Sequence, residues 1–375
     1  MNTVFTIGIF LCFFLQFLLL SKKQASISDR ILGVWMFFIG LHLFSYYLYY
    51  LGYWDRYPHL SGIHHPFPLL HGPFLYLYVL FSLKSDQRLR WRDYLHFSPA
   101  LLFYVYMIPF LFFYSAEEKL MVNHGEVDDY AGFIVFSLFA FFASGLGYAI
   151  ASYRMLSRHE HLTSQNFAYS ESIDMGWLKY FIWGIGMIFL VTAVVILFEW
   201  SMGVNFGFNT DLVLYVPLVG FILFLGYSGI RQKNIFADGT SQIPQIVEPK
   251  LPGEYVRSGL KTELAQQYHQ KLLDYMSANK PYLEPKLSLG HLARELDISA
   301  NHLSQIINQY EEKNFFDFVN TYRVNEFKQR VADPANSSYS ILAIALDSGF
   351  NSKSSFNQVF KKVSGKTPSQ HISGA

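Results

Sequence analysis

The chain has 375 residues, of which 51% are hydrophobic and only 15% are charged, and its formal net charge at pH 7 is +1. This composition is too apolar for an ordinary soluble protein, and the length is sufficient for two domains. The only cysteine is Cys12, which excludes an intrachain disulfide framework and a thiolate metal cluster.

Seven apolar stretches occupy the first 230 residues. As helices that rise about 1.5 Å per residue, stretches of this length cross the roughly 30 Å hydrocarbon core of a bilayer. They lie at residues 3–20, 31–53, 65–83, 94–114, 130–153, 178–200 and 211–230. We therefore predict a seven-helix transmembrane domain at residues 1–230. A cleavable signal peptide is the alternative for the first stretch, but positive charge follows it, at Lys22 and Lys23, and does not precede it, so we expect a retained helix.

Basic residues are distributed unequally between the loops that join these stretches. Alternate loops, which would share one side of the membrane, hold twelve Lys and Arg, whereas the other loops hold only Arg56 and Lys119. The positive-inside rule places the basic loops in the cytoplasm. We expect the N-terminus to lie outside and the C-terminal part of the chain to lie in the cytoplasm.

The character of the sequence changes after the last apolar stretch. Residues 231–260 contain Pro244, Pro249 and Pro252 and no helical stripe, which is typical of a linker. From residue 261 onward, apolar residues recur with the spacing of soluble helices. The predicted fold class is all-α: a seven-helix transmembrane bundle, a cytoplasmic linker and a soluble domain at residues 261–375.

Two pairs of short helices are predicted in the soluble domain. In the first pair, apolar residues recur at i, i+3, i+4 and i+7 in both helices, Ile298 plugs the turn, and Ser299 is the expected N-cap. The apolar positions are Leu289, Leu292, Ala293 and Leu296 in the first helix, and Leu303, Ile306, Ile307 and Tyr310 in the second. This pattern predicts a helix-turn-helix unit.

The same pattern recurs about fifty residues later. Ile341, Ile344 and Ala345 mark a first helix, Phe350 the plug, and Phe356, Val359, Phe360 and Val363 a second helix. Gly349 occupies the place of Asp297, where a sharp turn favours left-handed backbone. Residues 315–331 are predicted to form one helix that connects the two units.

The exposed faces of the two second helices follow from about 100° of rotation per residue. In the first unit this face carries Asn301, Gln305 and Asn308, with Ser304 beside them; in the second it carries Ser354, Gln358 and Lys361, with Asn357 beside them. Such side chains suit base edges in a major groove. Lys353, Lys362 and Lys366 are better placed for phosphates.

A family motif runs through the second unit. Ile344, Ala345, Gly349 and Phe350 match IAxxxGF, and FKK at 360–362 and GKTP at 365–368 follow. With these, residues 262–371 resemble the DNA-binding domain of AraC/XylS-type regulators. The resemblance implies two recognition helices in successive major grooves of double-stranded DNA, control of transcription, and RNA polymerase as a partner. The sequence departs from the family at Asp297, where glycine is common, and at Gln370 and His371, which replace a frequent tyrosine-arginine pair.

The apolar half carries a second resemblance. HGPFLYLYV at residues 71–79 is similar to a GPxxYxY segment of membrane-anchored regulators of this family from Bacteroidetes-type bacteria. This implies a multi-pass protein in the lipid bilayer of a bacterial inner membrane, which senses a signal through its spans.

Polar residues near the outer ends of the predicted spans are candidates for the place where a signal enters. They are His64, His65, His71, Glu199 and Asp211. If their helices adjoin, they line an outer pocket for a small polar ligand, a metal ion or protons, and the signal reaches DNA most simply through homodimerisation. Interfacial residues that face water give the same pattern, and for the histidines this remains the simpler alternative to metal ligation.

Two other function classes are compatible with parts of the sequence. A single helix-turn-helix pattern also fits a generic helical hairpin, and seven spans with a tail also fit a transporter or receptor whose tail binds a protein. Transporters usually carry ionisable groups within their spans, whereas the span interiors here hold His42 and Gln16 and no carboxylate relay. No Walker loop, kinase motif, nucleophile elbow or HExxH occurs in the sequence, so we expect no enzymatic activity, no cofactor and no resident metal.

Overall fold

The structure is a computed structural model that describes residues 2–84, 88–169, 176–203, 206–207, 209–231 and 262–373. Within these ranges the chain forms helices and no strand, which confirms the all-α prediction. The predicted linker lies outside the described residues, apart from Arg231.

Seventeen α-helices follow one another in the described ranges. In the apolar part they are α1 (Asn2–Leu20), α2 (Ile27–Tyr50), α3 (Tyr53–Arg56), α4 (Pro68–Leu83), α5 (Trp91–Tyr94), α6 (Ser98–Tyr106), α7 (Ala116–Asn123), α8 (Ala131–Asn166), α9 (Gly176–Met202) and α10 (Leu212–Arg231). In the C-terminal part they are α11 (Thr262–Asn279), α12 (Leu289–Glu295), α13 (Ala300–Tyr310), α14 (Phe315–Ala332), α15 (Ile341–Asp347), α16 (Lys353–Ser364) and α17 (Pro368–Ser373).

Four of the described helices are long and apolar enough to cross a membrane: α1, α2, α8 and the part of α9 at Gly176–Glu199. Pro68–Leu83 and Leu212–Tyr227 are apolar but shorter. The stretch predicted as one span at 94–114 is divided between the last residue of α5, a 3-10 helix at Leu95–Phe97, α6 and a π-helical segment at Pro109–Phe113. Proline has no N–H to donate within a helix, which accounts for the interruption at Pro109. The prediction of seven continuous spans is therefore not confirmed.

The chain divides into two compact units. The first comprises Met1–Leu156 and Met175–Ile243, and the second comprises Ser157–Asp174 and Pro244–Ala375. The second unit thus includes the C-terminal end of α8 as well as the C-terminal part of the chain.

The first unit is a bundle with an aromatic core. α1 packs against α2 and α10, and α2 packs against α4. Trp35, Phe81 and Phe181 are fully buried there. α8 and α9 approach closely at Gly145, where an added Cβ would lie 2.5 Å from Cγ of Phe189. Such close approach through small residues is common between helices in membranes.

The second unit has two hydrophobic cores joined by α14. Phe315, Phe318 and Val319 in its first half belong to the core around α12 and α13. Val324 and Phe327 in its second half belong to the core around α15 and α16. The predicted connecting helix therefore exists, and it fixes the two helix pairs on one rigid element.

Candidate nucleic-acid interface

The first helix pair, α12 and α13, has the predicted caps and core. Leu289, Leu292, Ala293 and Leu296 of the first helix and its end, and Leu303, Ile306 and Ile307 of the second, are buried. The Ser299 side chain accepts a hydrogen bond from the backbone N–H of His302, at 3.1 Å, as the N-cap of α13. The apolar spacing was thus sufficient to identify this unit from the sequence.

The second pair, α15 and α16, repeats the backbone geometry of the first. The backbone N–H of Ile298 donates to the carbonyl of Ala293 at 3.0 Å, and that of Phe350 donates to Ala345 at 3.2 Å. Both bonds span five residues and close the end of the first helix. Two predicted core positions, Ile341 and Val363, are each 38% exposed because they lie in the end turns of their helices.

Left-handed backbone occurs in both turns at the predicted positions. Asp297 has φ 53° and Gly349 has φ 93°. A Cβ on Gly349 would collide with the carbonyl oxygen of Tyr282, so glycine is needed there for both conformation and space. Asp297 adopts the left-handed region at a conformational cost that glycine would not incur.

The outer face of α16 is open along its whole length. All predicted DNA-contacting residues of this helix are exposed: Lys353, Ser354, Asn357, Gln358, Lys361 and Lys362. Lys366, in the loop that follows, is also exposed. The helix contains three lysines and no acidic residue, and its core residues Phe356, Val359 and Phe360 are buried on the opposite side. This polar and positive surface has the composition expected of a major-groove reading helix.

The corresponding face of α13 is less open. Asn301, Gln305 and Asn308 are partly exposed. The prediction that Ser304 lies beside them on the exposed face is wrong, because Ser304 is only 3% exposed. Its hydroxyl accepts a hydrogen bond from Nδ2 of Asn308, at 3.4 Å. α13 has no lysine, arginine, aspartate or glutamate, so the lysines predicted to contact DNA all lie on α16 or in the loop after it.

One of the predicted phosphate-binding lysines has an internal partner. Nζ of Lys362 lies 2.6 Å from Oδ1 of Asp317, and the Lys362 side chain remains 61% exposed. A phosphate would therefore compete with a carboxylate for this ammonium group. Lys353, Lys361 and Lys366 form no ion pair within the described residues.

Arg323 is an important residue that the sequence interpretation missed. It is 1% exposed, and its guanidinium donates to the carbonyl oxygens of Tyr282, Glu284 and Ala168, each at 2.7 Å. Burial lowers the pKa of Arg323 to about 10, although Glu284 acts in the opposite direction. The available signal was its position in α14, four residues after Val319 and four before Phe327, on the apolar stripe.

A buried carboxylate three residues after Arg323, that of Glu326, was missed as well. Glu326 accepts hydrogen bonds from Nζ of Lys280 at 3.0 Å, the Tyr282 hydroxyl at 3.1 Å and Nε of Arg330 at 2.9 Å. Burial opposes its ionisation, but these hydrogen bonds outweigh burial, and the pKa of Glu326 lies below its usual value. The cluster connects α14 to the loop before α12.

The residues predicted to form an outer signal pocket lie in the first unit and are only partly brought together. His71 is 6% exposed and accepts a hydrogen bond at Nδ1 from Nε1 of Trp35, at 3.1 Å. Its Nε2 lies 3.0 Å from Nδ1 of His42, and Nε2 of His42 lies 3.1 Å from the Tyr215 hydroxyl. An acceptor at Nδ1 makes His71 a donor at Nε2, so the hydrogen bonds run in one direction from Trp35 to Tyr215 with both imidazoles neutral. We call Trp35, His71, His42 and Tyr215 the polar chain.

Within the described residues, the other four candidate signal residues form no side-chain hydrogen bond with the polar chain, although the backbone N–H of Tyr215 donates to the carbonyl of Asp211 at 3.2 Å. Nε2 of His65 pairs with the Ser137 hydroxyl at 2.9 Å, and the His64 ring lies 6.0 Å from the His42 ring. Glu199 accepts from the Thr210 hydroxyl at 2.8 Å, beside Asp211. Among the described residues no group of three or more metal-ligating side chains is formed. A cavity of about 20 Å³ lies beside Trp35, His42 and His71, enough for one water molecule.

Comparison with known protein families found a match in the C-terminal part of the chain. Residues 292–373 match a family described as a helix-turn-helix domain, of the AraC type. No curated protein and no solved structure matches the chain. The match covers both helix-turn-helix units and supports a DNA-binding transcription regulator with double-stranded DNA as its partner.

Proposed function

We propose that this protein is a membrane-bound, one-component transcription regulator. The observation that supports this most directly is the pair of helix-turn-helix units on one connecting helix, in a chain that also contains four helices apolar and long enough to cross a membrane. In this proposal the apolar helices lie in the inner membrane of a bacterium, and the C-terminal unit lies in the cytoplasm, where chromosomal DNA is accessible. No separate sensor protein is then required.

The two reading helices have different roles in this proposal. α16 supplies most of the affinity, because Lys353 and Lys362 neutralise phosphates while Gln358 and Asn357 contact base edges. α13 is uncharged and adds sequence discrimination through Asn301, Gln305 and Asn308. α14 fixes the separation of the two helices, which sets the spacing of the two contacted grooves.

Signal detection is assigned to the first unit. The polar chain is a set of buried, directionally hydrogen-bonded groups inside an apolar bundle, and such groups are costly to keep there without a use. Protonation of either imidazole, or entry of a polar ligand beside it, reverses or breaks the chain. A change in bundle packing or in homodimerisation then alters the DNA-binding activity and the contact with RNA polymerase.

The proposal is tested by mapping the chromosomal sites that the full-length, epitope-tagged protein occupies in living bacteria, together with membrane fractionation of the same cells. We expect a limited set of sites that share one sequence pattern, and recovery of the protein in the inner-membrane fraction. Occupancy without a shared pattern would contradict specific DNA binding. Recovery in the soluble fraction would contradict the membrane assignment.

A further inference from the structure

A short segment from a distant part of the sequence forms part of the second unit. Residues 165–168, which we call the strap, follow most of α8 and precede α9 in the chain, yet belong to the unit that contains both helix-turn-helix pairs. None of its four residues is more than 8% exposed. Ala168 belongs to the core around α12 and α13.

Main-chain hydrogen bonds hold the strap in place. Phe167 and Ser288 form an isolated antiparallel bridge, and the backbone N–H of Ala168 donates to the carbonyl of Leu287 at 3.1 Å. The carbonyl oxygen of Ala168 accepts from Nη1 of Arg323 at 2.7 Å and from Nδ2 of Asn320 at 3.1 Å. Both donors are buried side chains of α14, so the second unit presents a preformed site for one peptide group.

The strap also contacts the first reading helix. Nδ2 of Asn308 donates to Oε1 of Gln165 at 3.3 Å, and Gln165 is only 8% exposed. On the same helix, Oδ1 of Asn301 is buried and has no hydrogen-bond partner among the described residues. The strap thus engages one amide assigned to base reading, that of Asn308, whereas the reading residues of α16 are all exposed.

We propose that the strap is an intramolecular partner of the DNA-binding unit that occupies part of the reading face of α13 and has to leave before α13 enters a major groove. The proposal rests on the proposed function, because it assumes that α13 reads DNA. A duplex and Gln165 cannot contact the same edge of Asn308 together. The strap is joined by the chain to α8 and α9, two of the helices apolar enough to span a membrane, so a change in either helix is passed to it covalently.

Release of the strap leaves most contacts of the second unit in place. Arg323 retains the carbonyl oxygens of Tyr282 and Glu284, and Asn320 retains that of Phe316, at 2.9 Å. The cores around α12, α13, α15 and α16 are otherwise built from residues after 261. Release therefore opens the reading face without removing the elements that form it.

The first test releases the strap. Ala168→Lys places a long cation at a position only 1% exposed, next to the Arg323 guanidinium, and so expels the strap. His161→Lys, at an exposed position of α8 shortly before the strap, is the control that adds the same charge. The full-length proteins are reconstituted in lipid nanodiscs and titrated with a fluorescent duplex selected by the wild-type protein from a random-sequence library.

We expect Ala168→Lys to bind the duplex more tightly than both wild type and His161→Lys. The gain is about tenfold if the strap is docked about 90% of the time, because apparent affinity scales with the open fraction. Equal or weaker binding by Ala168→Lys overturns the proposal while DNA binding stands. Absence of specific binding by every variant overturns the proposed function together with it.

The second test fixes the strap and does not depend on the stability of Ala168→Lys. In a Cys12→Ser background, Gln165→Cys and Asn308→Cys are combined and joined with a short bis-maleimide. We expect the two cysteines to cross-link in the full-length protein and the selected duplex to suppress this reaction. The cross-linked protein is expected to bind DNA at least tenfold more weakly than the same double-cysteine protein without cross-linker. Single-cysteine variants treated with the same reagent are the controls. Failure to cross-link, or unchanged DNA affinity of the cross-linked form, overturns the proposal.

Discussion

Asp297 and Gly349 occupy equivalent positions in the two helix-turn-helix turns, both with left-handed backbone, at φ 53° and 93°. Only Gly349 is sterically required to be glycine, since a Cβ there meets the carbonyl oxygen of Tyr282. The first turn is thus the one that carries a conformational cost that a single substitution can remove.

Asp297→Gly is expected to stabilise the α12–α13 pair by about 0.5–1 kcal/mol, the balance of relieved left-handed strain and the entropy cost of glycine. Gly349→Ala is expected to destabilise the α15–α16 pair by at least about 2 kcal/mol. Amide hydrogen exchange of the full-length protein in micelles measures both effects, as slower exchange in the first pair and faster exchange in the second.

Gly290→Ala is the matched control for these two variants. Gly290 is helical and nothing lies within 4 Å of its added Cβ. Gly290→Ala is expected to stabilise the α12–α13 pair by up to about 1 kcal/mol from helix propensity alone. Faster exchange in Asp297→Gly than in wild type would contradict the assignment of strain to this turn.

The helix-turn-helix units were predictable from the sequence because their information is local. The apolar spacing of α12, α13, α15 and α16 repeats within each helix, and the caps and turn glycine lie within a few residues of them. The docking of Ala168 on Arg323 was not predictable, since these residues are 155 positions apart and no periodicity relates them. The burial of Ser304 was missed for a similar reason, because helical geometry alone does not show what covers a flanking position.

The sequence interpretation missed the polar chain because it placed polar residues by their distance from the ends of the predicted spans. Placing His71 and Asp211 by their distance from span ends suggested one outer pocket, whereas His71 instead pairs with His42, an interior residue of α2. The division of the stretch at 94–114 shows the same limitation. Hydropathy measures length and polarity, and it does not register the effect of Pro109 on helix continuity.

Base reading and phosphate contact are separable on α16. Gln358→Ala is expected to cost about 1–3 kcal/mol on the preferred duplex and to relax the preference at one base position. Lys353→Ala is expected to weaken binding to all sequences alike and to lower the slope of log K against log salt by about one unit. Fluorescence anisotropy on matched and single-substitution duplexes at several salt concentrations distinguishes them. Equal losses on every sequence for both variants would contradict the division of roles.

The ion pair between Lys362 and Asp317 predicts that the lysines of α16 contribute unequally to DNA binding. Lys362→Ala is expected to weaken DNA binding less than Lys353→Ala, because Lys362 has to exchange a carboxylate for a phosphate. Asp317→Asn is expected to strengthen binding to all duplexes by freeing Lys362 and removing a negative charge. Fluorescence anisotropy titrations at several salt concentrations measure the DNA affinity of both variants. A weaker affinity of Asp317→Asn at every salt concentration would argue against competition.

The Glu326 cluster predicts an acid-sensitive second unit. The folded-state pKa of Glu326 lies below its usual value of 4.5, so the ionised form stabilises the fold above the unfolded-state pKa, and this contribution is lost as pH falls through the folded-state pKa. Glu326→Gln is expected to be less stable at neutral pH by about 1.5–3 kcal/mol, the range for hydrogen bonds to charged groups. Its stability is expected to change less than that of wild type below about pH 4.5.

Hydrogen exchange of α14 at neutral and acidic pH measures this difference. Glu263→Gln, at an exposed position of α11, is the control and is expected to follow wild type. If Glu326→Gln and wild type lose protection in parallel as the pH falls, the cluster does not provide the pH dependence.

Membrane topology is tested with reporter fusions. A reporter active only in the cytoplasm is expected to work when fused after Lys233 and to fail after Asn123, at the end of α7. The acidic stretch around Asn123, which includes Glu117, Glu118 and Asp128, suits an outer loop under the positive-inside rule. Activity of the Asn123 fusion would show that the stretches before it cross the membrane a different number of times.

The polar chain and the outer acidic residue give separable predictions for signal detection. His71→Phe preserves a large aromatic ring but removes both the acceptor for Trp35 and the contact with His42. It is therefore expected to abolish the response of a target promoter to inducing conditions, with membrane abundance held equal.

Asp211→Asn retains the size of the side chain and lies beside Thr210, the donor to Glu199. Asp211→Asn is expected to preserve the response, because within the described residues the Asp211 side chain forms no hydrogen bond with His42 or His71, and the main-chain bond from Tyr215 to Asp211 does not depend on the side chain. His65→Phe is the control for removal of an imidazole outside the polar chain, since its described partner is Ser137. Transcript level from a promoter identified by chromosomal mapping is the measurement. A wild-type response in His71→Phe excludes the polar chain as the detector, and loss of response in Asp211→Asn alone returns the assignment to an outer pocket.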